Sequence, residues 1–263
     1  LFLAITGRRP DGFHDLVSVA APLAWGDMLR AEPAAEYTLE CDDPAVPSDE
    51  SNLVLKAARA FGAASGWKGG AHFRLEKRIP PGAGLGGGSS NAVAALRLLN
   101  GWAGEPLAPA ALLGVAGQLG SDCALFLQGG PVVMRGRGEL LEPLPAAAAA
   151  RLRGRRVLLF KPSFGIATPW AYAQLAALSA QQAKAGTGES EGKPPGYIPA
   201  PEAERRLGAW LADGLAPAET LLWNNMERVA FAKYPALPVL LASLRADFGL
   251  TTGSGLAGAA QAR

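Results

Sequence analysis

The residues with the most chemical potential lie in the run Pro80-Pro81-Gly82-Ala83-Gly84-Leu85-Gly86-Gly87-Gly88-Ser89-Ser90-Asn91, where almost bare backbone joins a strand-like segment to a helix-like one. Glycines let several backbone N–H groups converge on one anion without interference from Cβ. A helix opening at the end of such a run adds its unpaired first-turn amides and the positive end of its dipole, so the chemistry on offer is phosphate binding. Ser89 or Ser90 is expected to cap that helix. A second candidate is Asp122 in Gly120-Ser121-Asp122, at the edge of the apolar run Cys123-Ala124-Leu125-Phe126-Leu127. Between a helix and a buried strand it reads as a catalytic carboxylate, and equally as an exposed helix cap.

The flanking elements must hold these groups. Phe73, Leu75 and Ile79 alternate with His72, Arg74, Glu76 and Arg78, which predicts a half-buried strand whose apolar face is interrupted by Lys77. After the glycines, Ala92, Ala95, Leu96, Leu98 and Leu99 recur at helical spacing over 89–100. Asn52-Leu53-Val54 leads into a helix through Phe61, and further helices are expected at 109–119, 203–213, 219–232 and 236–246. Strands are expected at 1–5, within 132–140 and at Val157-Leu158-Leu159-Phe160, and the alanines at 146–150 suggest a boundary that gives domains 1–150 and 151–263. The stretch 180–203, rich in Gly, Ser, Lys, Glu and Pro, reads as an exposed insertion.

The chain has 263 residues, 49% of them apolar, which suffices for one large domain or two lobes. Lysine and arginine number 25 against 23 acids, so there is no general electrostatic case for a nucleic-acid partner. Cys41 and Cys123 are too few for a disulfide framework, fit a reducing compartment and carry no metal-ligand pattern, so no resident metal is expected. No apolar stretch suits a bilayer crossing and no signal-peptide pattern opens the chain, which points to a cytoplasmic protein without a membrane partner. The first residue is Leu1, and Leu1-Phe2-Leu3-Ala4-Ile5 already reads as strand interior, so the beginning is expected to lie upstream.

Two phosphate-binding lookalikes fit poorly. Gly82-Ala83-Gly84-Leu85-Gly86-Gly87 satisfies GxGxxG, but more than 70 residues precede it and Glu105, near the expected acid position, sits beside Pro106 in a loop. The GxxxxGK[ST] loop of nucleotide triphosphatases needs a lysine that is missing here. A cradle of another type is favoured. Pro81–Ala92 resembles the second motif of the galactokinase, homoserine, mevalonate and phosphomevalonate (GHMP) kinase superfamily. With Thr6-Gly7-Arg8-Arg9-Pro10-Asp11-Gly12-Phe13-His14 it resembles one family in particular, the 4-diphosphocytidyl-2-C-methyl-D-erythritol kinases, over nearly all of the chain.

That resemblance implies an α+β, two-lobed GHMP kinase fold, with an N-terminal ribosomal protein S5 domain 2-like lobe and a C-terminal ferredoxin-like α/β-plait lobe. It implies ATP-dependent phosphorylation of the acceptor's 2-hydroxyl in non-mevalonate isoprenoid biosynthesis. Pro81, Gly82, Ala83, Gly84, Leu85, Gly86, Gly87, Gly88, Ser89 and Ser90 would wrap the ATP phosphates, with Mg²⁺ arriving on the nucleotide, and Asn52 and Lys77 match positions lining the adenosine site. Asp122 matches the aspartate that activates the acceptor hydroxyl. Phe13 and His14 match a pair that stacks on cytosine and hydrogen-bonds its edge, with Thr168 and Tyr172 in the substrate site and Trp170 as a nearby alternative to Tyr172. Thr251-Thr252-Gly253-Ser254-Gly255 resembles the superfamily's third glycine-rich motif. The expected partner is the small cytidine-diphosphate-linked polyol, and the assembly a monomer or weak homodimer. The alternatives are another superfamily kinase, of homoserine or mevalonate type, or an inactive nucleotide-binding relative should Leu1 be the native start, since the family's upstream Lys-x-Asn is not in this sequence.

Overall fold

A computed structural model describes residues 1–184 and 196–249. The chain divides into two compact units, one made of Leu1–Ala21 with the chain from Gly130 onward, the other of Pro22–Gly129. The boundary expected near residue 150 falls within the first unit, inside the short helix that the alanine run forms.

In the first unit, strands β1 (Phe2–Arg8) and β2 (His14–Ala20) form an antiparallel hairpin in which Arg8 faces His14 across the ladder. Strands β6 (Val132–Gly136) and β7 (Leu140–Pro143) extend the sheet beyond β2, and β8 (Trp223–Asn224) pairs parallel with the far edge of β1, giving the order β7-β6-β2-β1-β8. Phe2, Ala4, Val17, Val19 and Val133 are buried beneath helices α4 (Ala146–Leu152) and α6 (Ala200–Ala212), packed on Leu207 and Trp210. Ile5 belongs to a second cluster with Leu175 of α5 (Thr168–Lys184) and Val229 of α7 (Glu227–Lys233), and α8 (Ala236–Asp247) closes the described chain.

Several expectations change here. The helix expected at 219–232 is broken into a 3-10 turn (Ala218–Leu221), β8 and α7, because Asn225 uses its side chain to continue the β8–β1 ladder: its Oδ1 accepts from the Ile5 amide at 3.0 Å and its Nδ2 donates to the Ile5 carbonyl at 2.9 Å. Val157–Phe160 is not a strand; its four side chains are exposed, and no described segment supplies the ladder that a strand requires. The insertion expected over 180–203 begins later, since α5 runs to Lys184, and it ends earlier, since Ile198 is buried and α6 starts at Ala200. Thr251–Gly255 lies outside the described residues.

In the second unit, β5 (Gly70–Glu76) is the centre of a three-stranded sheet, antiparallel to β3 (Met28–Ala34) and parallel to β4 (Thr38–Cys41). Ala71, Phe73 and Leu75 point into a core shared with α1 (Leu53–Ser65), α2 (Gly87–Trp102) and α3 (Pro109–Leu119). Phe61, Phe73, Leu96 and Leu99 are fully buried, and burial of each such side chain contributes about 1.5–3 kcal/mol. The alternation expected through Ile79 leaves the ladder at Glu76, yet the inward parity of 71, 73 and 75 continues through Lys77 and Ile79. Cys123–Leu127, expected as a strand, is a turn followed by a 3-10 helix (Ala124–Leu127): its amides bond three residues back, Cys123 to Gly120 and Phe126 to Cys123, both at 3.1 Å. A five-residue apolar run carries no periodicity that separates those outcomes.

Candidate functional site

The second unit builds an anion cradle. Helix α2 opens two residues earlier than expected, so Ser89 and Ser90 lie inside its first turn and Gly86 is the N-cap, with no side chain capping it. Gly86 takes this place because its φ of +68° is left-handed and because a Cβ there would lie 2.9 Å from Phe126 Cζ. The first intrahelical bond is from Ser90 N to Gly86 O at 2.8 Å, which leaves the amides of Gly87, Gly88 and Ser89 without helical acceptors at the positive end of the dipole. Gly82 and Gly84 share the left-handed region, and Pro81, Gly82 and Gly84 are exposed, with Ala83 and Leu85 half-buried.

Beneath the cradle lies a buried ion pair. The Lys77 Nζ bonds to Asp27 Oδ2, with the two side chains only 8% and 1% exposed. Asp27 Oδ1 accepts from the amides of Arg78 at 2.7 Å and Ile79 at 2.8 Å, and Asn91 Nδ2 of α2 donates to Oδ2 at 2.9 Å. Burial would raise the Asp27 carboxyl, but the Lys77 bond, the two amides and Asn91 together hold it below its usual range. One carboxylate thus ties the end of β5 to Asn91, at the start of the second turn of α2. Lys77 sits on the inward face of the sheet because Asp27 pairs with it there, and a Cβ on Gly87 would stand 3.4 Å from its Nζ. Asn52 is likewise committed: its Oδ1 caps α1 at the Val54 amide (2.9 Å) and its Nδ2 holds the Pro47 carbonyl (2.7 Å).

Asp122 stands in the turn after α3, exposed, with no hydrogen bond or ion pair among the described residues. It caps nothing, since the following 3-10 helix starts from Cys123 without a side-chain cap. The Cys123 thiol is pushed up by burial, a bond with Ser89 works the other way, and the neighbouring Asp122 carboxylate adds to the rise. The cysteine therefore links the turn bearing Asp122 to the first turn of α2.

The first unit carries an aromatic cluster at the β1–β2 turn. The turn is locked by Arg9, whose amide donates to Phe13 O at 2.8 Å and whose guanidinium pairs with Asp11 and Asp15 at 3.2 and 3.1 Å. Phe13 is 55% exposed, with the Arg137 guanidinium 4.4 Å from its ring centroid. His14 packs on Tyr172 with ring centroids 4.5 Å apart, and its Nε2 lies 3.0 Å from the Tyr197 hydroxyl. Its pKa is lowered by burial and by the nearby Arg8 guanidinium. Thr168 is the exposed first residue of α5, and Trp170 holds Lys233 Nζ 4.1 Å from its ring centroid.

Residues 52–130 match the GHMP kinases N terminal domain. A Synechococcus protein named 4-diphosphocytidyl-2-C-methyl-D-erythritol kinase is 38% identical over 249 residues, which cover 93% of this chain and 77% of that protein. The chain belongs to the 4-diphosphocytidyl-2-C-methyl-D-erythritol kinase family. The Salinibacter ruber protein of the same name is 42% identical over 174 residues; these are 65% of this chain and 61% of that relative, less than two thirds of its length. A crystal structure of 4-(cytidine 5'-diphospho)-2C-methyl-D-erythritol kinase superposes with a TM-score of 0.64 at 33% identity, covering 93% of this chain and 79% of the other. The fold is accordingly the α+β GHMP kinase fold.

The cradle residues 81–90, Lys77 and the Asp122 turn of this kinase-family chain thus gather in one unit, and Phe13, His14 and Tyr172 in the other. Sequence reasoning missed Asp27, Tyr197 and Asn225. Asp27 lies fifty residues from its lysine with no motif to join them, and Tyr197 sits at the edge of a polar stretch; only the lone interior polarity of Lys77 hinted that a buried acid must exist.

Proposed function

We propose that the protein transfers the γ-phosphoryl group of ATP to the 2-hydroxyl of 4-diphosphocytidyl-2-C-methyl-D-erythritol, giving the 2-phosphate and ADP. The observation that carries this reading is a carboxylate with no partner among the described residues, Asp122, linked through Cys123 to an uncapped, glycine-lined helix start in a chain of this family. The acceptor oxygen attacks the γ-phosphorus as the bond to the β-phosphate oxygen breaks; the hydroxyl proton passes to the Asp122 carboxylate and ADP departs. The acceptor is a hindered tertiary alcohol, so alignment of its oxygen matters more than basicity, and Asp122 serves by orienting that hydroxyl and receiving its proton late.

The amides of residues 82–90 surround the triphosphate, with the Ser89 and Ser90 hydroxyls near the β and γ phosphates. Lys77 and Asn52 contribute to the adenosine site by holding its walls through Asp27 and the start of α1. Among the described residues no group of three or more His, Cys, Asp or Glu side chains is arranged to hold a metal ion, and hydroxyls beside phosphates suit an ion that arrives on the nucleotide. Mg²⁺ bound there offsets phosphate charge. Phe13 stacks on cytosine, His14 reads its edge, and Tyr172 and Thr168 complete the acceptor site. Among the described residues no single helix is long and apolar enough to cross a membrane, and we assign the enzyme to the cytoplasm as a monomer or weak homodimer acting on a small molecule.

An acceptor panel tests the reading. With ATP and Mg²⁺, the cytidyl acceptor is expected to be consumed while homoserine and mevalonate are not; phosphorylation of either of those with the cytidyl compound untouched overturns it. The cradle has its own test. A left-handed φ costs a non-glycine residue about 1–2 kcal/mol, before the contact with Phe126 is counted. Gly86→Ala is therefore expected to weaken binding of a non-hydrolysable ATP analogue about tenfold or more by calorimetry, and unchanged affinity would mean that the phosphates lie elsewhere.

A further inference from the structure

Tyr197 sits on a strap whose backbone is fixed at every step. Gly196 N donates to Gln182 Oε1 at 2.8 Å and Gly196 O accepts from Asn225 Nδ2 at 2.9 Å. Tyr197 N donates to Ser179 Oγ at 2.7 Å, Ile198 N donates to Ile5 O at 3.2 Å, and Ile198 itself is buried. A Cβ on residue 196 would collide with Ser179 Oγ and stand 2.9 Å from the Ser179 backbone N, so the close approach to α5 demands glycine. Asn225 bonds both Ile5 of β1 and Gly196, joining the strap to the strand that leads into the Phe13–His14 turn. The result is a phenol held rigidly with its oxygen 3.0 Å from His14 Nε2.

Both partners are disposed to be neutral. Burial and Arg8 lower the His14 pKa, while burial raises that of Tyr197 against the pull of the same arginine. Between a neutral phenol and a neutral imidazole the better arrangement has the phenol O–H donating to the ring nitrogen, because an imidazole nitrogen is the stronger acceptor. The ring proton then belongs on Nδ1.

We propose that Tyr197 is a positioning residue for base selection: its hydroxyl fixes His14 as the Nδ1–H tautomer, so that His14 presents a donor that matches the N3 acceptor of cytosine and opposes the N3–H of uracil. This deepens the base-recognition role of His14 given above and rests on it. A fixed donor facing a wrong donor leaves both unpaired, which is how a polar site rejects a near-isostere.

The test is Tyr197→Phe, which keeps the ring and removes only the hydroxyl. For the full chain we expect the KM for the cytidyl acceptor to rise about three- to tenfold, with kcat and the ATP KM unchanged and the preference for the cytidyl over the uridyl acceptor reduced by a similar factor. The chain has two histidines, so ¹⁵N spectra of the imidazoles can be assigned with His72→Gln, and the His14 signal is expected to show Nδ1–H in the wild type and to move toward Nε2–H in the variant. Unchanged acceptor KM and base preference in Tyr197→Phe, alongside a raised KM in His14→Ala, overturn the role of Tyr197 alone. An unchanged KM in His14→Ala overturns base recognition by His14 and this inference with it.

Discussion

Replacing Asp122 with asparagine is expected to lower turnover about 10²- to 10⁴-fold, the range set by loss of a positioned proton acceptor, while leaving ATP affinity within about twofold. The separation follows from location. Asp122 is exposed, bonds to no described residue and supports no helix cap, so its loss removes no side-chain bond within the described structure. Asparagine keeps the shape and can still accept a hydrogen bond from the acceptor hydroxyl, but it takes no proton and carries no charge. A kcat collapse with unchanged melting temperature and unchanged nucleotide binding is the signature of a residue acting on the reacting hydroxyl. Wild-type turnover in the variant would remove Asp122 from the mechanism.

Replacing Asp27 with alanine is expected to be the most damaging single change to stability in the second unit. Removing one member of a buried pair leaves the other charged and unsolvated, which costs about 3–5 kcal/mol; for a domain of this size that lowers the melting temperature by on the order of 10 °C. Here the amides of Arg78 and Ile79 and the Asn91 side chain lose their acceptor together, so the β5–α2 connection loosens and nucleotide affinity falls with stability. Lys77→Met should behave alike, and the double variant Asp27→Leu with Lys77→Met should recover part of the stability without the affinity. The pH dependence has a defined sign. The folded-state carboxyl lies below its unfolded value, so its stabilisation is fully present above about pH 4 and is lost as pH falls through the folded pKa. A thermal melt of Asp27→Ala indistinguishable from wild type between pH 5 and pH 8 would contradict this account of the cradle's foundation.

Much of the site was legible because its chemistry is written locally. A glycine run between a strand and a helix needs no distant partner to be recognised, and α1, α2 and α3 follow apolar spacing within a residue or two at most boundaries. What failed was set by distant contacts. The serines do not cap α2 because the Gly86 conformation beside Phe126 starts the helix earlier. Lys77 looked like a flaw in an apolar face until Asp27, on a different segment, made that face tolerate it. Val157–Phe160 has strand composition but no described neighbour to pair with, and pairing rather than propensity makes a strand. Tyr197 lay at the end of a polar tract, and its value comes from its own bonds to Ser179 and His14 and from the Asn225 bond to the preceding Gly196 carbonyl, none of the three partners being near it in sequence.

The central claim is that a phosphoryl group moves from ATP to one particular hydroxyl, and proton-coupled ³¹P NMR of the purified product reads that directly. The 2-carbon of the acceptor bears a methyl group and no hydrogen, so a phosphate on its oxygen has no three-bond coupling to a carbinol proton. With ATP, Mg²⁺ and the cytidyl acceptor, a new phosphomonoester singlet growing in step with ADP is the expected result. A doublet or triplet, which places the phosphate on the neighbouring secondary or primary hydroxyl, or ADP release with no new phosphomonoester, would contradict it.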